Sequence, residues 1–162
     1  MGNERKILDK ALGHALLGTG AHVGTKTVFG GLDWKLAGML PAGAPHSVYQ
    51  LLNHMLYWQE WVVKWLDGER PPVPKHAAGV WPGDAAPASR KEWERAVKSF
   101  GRGVDQLVRH SRQADLFATG RSKSPLEMLL TIASHNSYHA GQVVLLRQEL
   151  GAWPPPSGGL TW

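Results

Sequence analysis

His135 and His139 stand four residues apart inside a long apolar run with helical period, and that spacing is the clearest chemical signal in the chain. Residues at i and i+4 share one helical face, so both imidazoles can converge on a single point. The point lies among Met128, Ile132, Val143 and Leu146, where two polar rings need a reason to be. A divalent metal ion supplies one, since neutral imidazole is the commonest protein ligand for such ions. Two ligands rarely suffice, and His54 is the residue expected to complete the set. It belongs to the series Leu51, His54, Trp58, Trp61, Trp65, whose spacings of three and four place it on one face amid aromatics. A lone His in such a stripe is ordinarily a hydrogen-bonded core residue; a polar pair on a second core-facing helix gives it a partner to meet.

Three further side chains are candidates to orient an imidazole or to face the same point. Gln142 lies three residues beyond His139 and seven beyond His135, on the same face, and Gln50 precedes His54 by one turn. Either could supply the outer hydrogen bond that ligating histidines require, although Gln50 could equally serve only its own helix terminus. Tyr138 adjoins His139, and its hydroxyl could face the site or a helix interface. The zinc-peptidase pattern H-E-x-x-H is not met, because Asn136 occupies the position of the general base and cannot take a proton. Ser137 lacks the Gly-x-Ser-x-Gly turn of a nucleophile elbow and reads as a helix residue. Of the other histidines, His14 could touch the core, His76 lies in a Pro-rich loop, and His110 ends a helix where a cation suits the dipole. His22 and His46, in or beside the first long loop, are the ones placed to contact a substrate.

Four helices are expected to position these groups. Ser47–Gln50, Ser89–Glu92 and Ser124–Glu127 each match the capping box, in which a Ser and a Glu or Gln satisfy each other's orphan backbone donors. The last adds Pro125 at the first helical position, where its missing N–H is harmless. The pattern predicts helices over about 4–18, 47–67, 89–110 and 125–150, the first with Ile7, Leu8, Leu12, Ala15 and Leu16 on its inner side. No alternation of strand type competes, so the fold class is all-α and the architecture a four-helix bundle. Residues 19–46 and 67–88 are long connections rich in Gly and Pro, unlike bundle hairpins; they suit crossovers between helices or a cover over a site.

The chain has 162 residues, 43% hydrophobic and 19% charged, enough for one domain with a real core. Eight Trp imply large stiff packing units or an aromatic-walled pocket, and the lack of any Cys excludes disulfides, thiolate ligands and a Cys nucleophile. The N-terminus lacks the apolar core of a signal peptide and no stretch reads as a bilayer span, so a cytoplasmic protein without membrane contact is expected. Nine basic residues against four acidic ones between Arg90 and Lys123 account for the whole net charge of +5. Lys91, Arg95, Lys98, Arg102 and Arg109 recur there at helical spacing, a stripe that reads as a solvated helix face. No nucleic-acid motif accompanies it, and nucleic-acid binding is not expected.

The segment Leu51–Trp58, taken with the block His135-Asn136-Ser137-Tyr138-His139-Ala140-Gly141-Gln142, resembles the DinB-like, or YfiT-like, superfamily of bacterial metalloproteins. The likeness runs over nearly the whole chain, including Gly43–His46 ahead of the second helix and the tail Gly151–Pro156. It implies an up-down-down-up four-helix bundle that binds a divalent ion, nickel or zinc, through His54, His135 and His139, and it implies a homodimer. Many members carry an acidic residue where this chain has Asn136. Characterised relatives include thiol-dependent S-transferases and isomerases that use bacillithiol or mycothiol. The function so implied is a metal-dependent enzyme transferring a small-molecule thiol to an electrophilic substrate. The alternatives are hydrolysis by a metal-bound hydroxide and a non-catalytic metal-holding stress or interaction protein.

Overall fold

The computed structural model describes residues 2–159, which are helical with no strand among them. Four long helices, α1 (Asn3–Leu17), α3 (Val48–Leu66), α4 (Arg90–Gln113) and α5 (Pro125–Glu149), are joined by connections that carry one short helix, α2 (Trp34–Ala37), and two 3₁₀ turns, Thr27–Phe29 and Ala77–Val80. Capping chemistry sets the limits of the helices that carry the histidines. Ser47 and Gln50 form a complete capping box on α3, as do Ser124 and Glu127 on α5 with Pro125 behind them. Gly68 and Gly151 follow the two helices with φ of 98° and 65°, a left-handed turn that stops a helix and favours glycine.

Two sequence expectations are corrected. At α4 the box is half formed: the Ser89 side chain accepts from Glu92 N, but the Glu92 carboxylate accepts from Ala88 N and from the Tyr49 hydroxyl instead of the Ser89 amide. A tertiary partner on α3 has captured the glutamate. The helix also runs on to Gln113, since its last turn packs under Arg5, whose guanidinium donates to Ser111 O and Ala114 O. The second correction is Ile7, which is 62% exposed; Leu12 and Leu16, one and two turns on, carry the inner face of α1.

The long helices pack so that α1 and α3 each contact both α4 and α5. Polar links fix their directions. Tyr49 meets Glu92 at the start of α3, Gln59 meets the Phe100 carbonyl mid-way, and Asp67 meets His110 at the end, so α3 and α4 run the same way. Leu51 pairs with Leu146 in one pocket and Trp65 with Met128 in another, so α5 runs opposite to α3. A parallel α3–α4 pair demands a connection that retraces the whole of α3, about 28 Å at 1.5 Å per residue. That is the physical reason residues 67–89 are long.

The apolar interior falls into two clusters. One gathers Leu52, Met55, Phe100, Val104 and Val143 with Phe29 from the first connection; the other gathers Leu12, Leu16, Val62, Leu107, Leu129 and Ile132. Full burial of each such side chain is worth about 2 kcal/mol. Between the clusters lies a layer of buried polar groups, His54, Gln59, Asn136 and His139.

Candidate metal centre

The three histidines singled out from sequence meet in this layer. One ring nitrogen from each of His54, His135 and His139 lies within 4.8 Å of the other two. His54 Nε2 and His135 Nε2 stand 3.2 Å apart, and the His139 ring centroid is 4.8 Å from that of His54 and 4.5 Å from that of His135. His54 and His139 are buried and His135 is half-buried.

The outward nitrogens decide what the inward ones can do. His54 Nδ1 lies 3.3 Å from the Val80 carbonyl and His139 Nδ1 2.6 Å from Gln142 Oε1. A carbonyl oxygen only accepts, so each Nδ1 carries the proton and each Nε2 is left as a bare lone pair. His135 is oriented by a longer relay. Gln59 Nε2 donates to Phe100 O at 2.9 Å, which turns Gln59 Oε1 toward Asn136 Nδ2 at 3.4 Å, and that in turn turns Asn136 Oδ1 toward His135 Nδ1 at 3.5 Å. A carboxylate at position 136 could not donate to Gln59, which is the local reason an amide serves there. Three lone pairs pointed at a common centre repel one another unless a cation lies between them. A metal–nitrogen bond is about 2.0–2.1 Å and leaves the 3.2 Å nitrogen separation almost unchanged. These three residues could hold a metal ion.

The electrostatics agree. Burial, with the neighbouring His139 ring adding to it, pushes His54 and His135 down to about 4, and burial lowers His139 as well. All three are therefore neutral, the form that ligates, near neutral pH.

The remaining candidates sort by contact. Gln142 holds His139 and donates from Nε2 to the Tyr138 hydroxyl at 3.4 Å, while Tyr138 itself is 66% exposed. Gln50 accepts from Ser47 N and donates to Pro82 O, so it caps α3 and anchors the loop around Trp81 instead of touching an imidazole. His22 lies away from the cluster, with Nε2 3.0 Å from Ser137 Oγ on the other side of α5. His46 stacks on one face of Trp81 at 3.7 Å while His54 stacks on the other at 3.9 Å. Lys91, Arg95, Lys98, Arg102 and Arg109 are all exposed.

Sequence reasoning missed Trp81, Gln59 and Gly103. A Cβ at Gly103 would fall 1.9 Å from Gln59 Nε2, so the glycine on α4 is what lets Gln59 reach Phe100 O. A glutamine in an otherwise apolar helical stripe was the available signal for Gln59; nothing local marks the other two.

Residues 41–161 match the sequence model of the DinB family. The chain belongs to the DinB family. No curated protein and no solved structure matches it. The matched span contains α3, α4 and α5, and with them every residue of the centre in this DinB-family chain. No described helix is long and apolar enough to cross a membrane.

Proposed function

We propose that this chain is a divalent-metal-dependent enzyme, an S-transferase that moves a low-molecular-weight thiol onto an electrophile, with His54, His135 and His139 as metal ligands. The reading takes the four long helices as the up-down-down-up bundle implied by the family, with α3 and α4 as its parallel pair. Its main support is the convergence of three neutral imidazoles whose outer nitrogens are all held by amide or backbone oxygens. Nickel or zinc, bound there, would supply the positive charge that favours a thiolate over a thiol at neutral pH. The protein's own part is to hold the three rings in the right tautomer, through Val80, Asn136 and Gln142, and to keep the centre in a low-dielectric layer. The reaction joins the thiol sulfur to the electrophilic carbon, and the thiol proton leaves with the displaced group or to solvent. A Cys-free chain is compatible with this, since the sulfur comes from the cosubstrate.

Hydrolysis by a bound hydroxide uses the same ligands but wants a general base, and the histidine cluster includes no carboxylate. Metal analysis of untagged protein and its His135→Ala variant tests the ligand set: one equivalent is expected in the parent and none in the variant. Metal-loaded protein given bacillithiol, mycothiol or cysteine with a bimane electrophile should form the thioether adduct, seen by mass spectrometry. Metal-independent or absent adduct formation removes the transferase. Light scattering checks the homodimer.

A further inference from the structure

Beyond His54, toward the C-terminal end of α3, the same face carries a groove that the metal ligands alone do not explain. Trp58, Trp61 and Trp65 line its wall at helical spacing, Met128 and Ile132 of α5 form the opposite side, and His135 closes its inner end; the cavity is about 410 Å³. It runs into a second depression of about 390 Å³ that shares Trp61, Trp65 and Val73 and ends at Arg70 and Arg121. The wall is built, not incidental. Trp61 Nε1 donates to Pro72 O at 2.9 Å, holding the loop against the helix, and Arg121 lies 4.6 Å over Trp65 while donating to Trp65 O and Gly68 O.

Charge separates a ligand site from a bare apolar face. Lys123 lines the groove, Arg70 and Arg121 line its extension, and no carboxylate lines either. Among the described residues none of these three cations is within ion-pair distance of an acid. Glu127, one turn from Lys123, has its carboxylate engaged by Ser124. Aromatic walls favour a flat apolar body, and unpaired cations at the outer end favour a negative group.

We propose that this groove binds the body of the substrate, and that the substrate is an aromatic anion: a flat ring system laid against Trp58, Trp61 and Trp65, its negative group facing Lys123 and Arg70, and its reacting end toward His135. The inference deepens the enzyme reading and rests on it for the reacting end; the groove's preference for an anionic ring is testable without metal.

The test uses the full chain, metal-free, with 2-naphthoate and its neutral isostere 2-naphthamide, followed by calorimetry and by the indole N–H signals in two-dimensional NMR. Naphthoate is expected to shift the Trp58 and Trp65 signals and to bind about tenfold tighter than the amide, the step that one charge-assisted contact supplies. Lys123→Ala combined with Arg70→Ala, both surface changes, should erase the difference between the two ligands, and Trp65→Ala should weaken both. Equal affinity of acid and amide for the parent chain, or shifts confined to Trp residues outside the groove, overturns the proposal. A protein that binds no metal yet shows the expected pattern loses the enzyme reading alone; one that binds metal but shows no preference loses only the groove.

Discussion

Two polar sites are buried in this molecule, and they solve the problem of burial in opposite ways. Arg147, 1% exposed, spends its guanidinium on three backbone carbonyls, Val28, Gly30 and Ala152, and so ties the first connection and the tail to α5. Every donor it aims inward has a protein acceptor. The imidazoles of His54, His135 and His139 do the reverse: their outer nitrogens are satisfied and their inner ones face each other. A buried group matched by its surroundings holds a fold together; a set of groups whose inner nitrogens face only one another could hold a metal ion. Arg147 and two of the three histidines lie on α5, eight residues apart at the closest.

The contrast can be broken by exchanging the sites' roles under mutation. Arg147→Met strips one buried and two half-buried carbonyls of their donor and should cost about 3 kcal/mol in urea unfolding, with metal stoichiometry intact. His135→Ala should do the opposite, abolishing metal uptake while leaving metal-free stability within about 1 kcal/mol of the parent. If Arg147→Met loses metal, or His135→Ala unfolds the chain, the two sites are not separable.

Gly103→Ala sharpens the point. In an exposed helix this change stabilises by about 1 kcal/mol. Here the new methyl collides with Gln59, itself fully buried, so a net loss of about 2 kcal/mol is expected instead, with weaker metal binding from the disturbed Gln59–Asn136–His135 relay. Unfolding curves and metal titration of the variant check both.

The acid dependence of the metal-free protein gives a further check on the histidine site. His54 and His135 titrate near 4 in the fold, against 6.5 for an ordinary imidazole, so between those values the unfolded chain binds more protons. Stability is therefore fully present above pH 6.5 and declines as pH falls toward 4, where this contribution is exhausted. The slope should flatten in His135→Ala and persist in Arg147→Met, as measured by denaturation at pH 4, 5, 6 and 7.

Much of the site is legible in the sequence. The i,i+4 pair on α5 and His54 in an aromatic stripe needed only helical periodicity, and two of three capping boxes formed as read. Ser89–Glu92 formed by half because Tyr49, distant in sequence, competed for the same carboxylate. Gln50 and Tyr138 were near the histidines in sequence and on the helical wheel, yet one is committed to a cap and the other is largely solvated. A wheel gives direction around one helix and nothing about what stands opposite.

Taken alone, the order of residues determined that the chain is helical, where its long helices start, and which three histidines could share a centre, because these depend on periods of 3.6 residues and on hydrogen bonds spanning one turn. Tertiary structure alone decided that α3 and α4 run parallel, that Trp81 covers His54, that Gly103 makes room for Gln59, and that three tryptophans and unpaired cations share one groove. Each of those joins residues far apart in sequence, and which of them come into contact is set by the packing of the whole core.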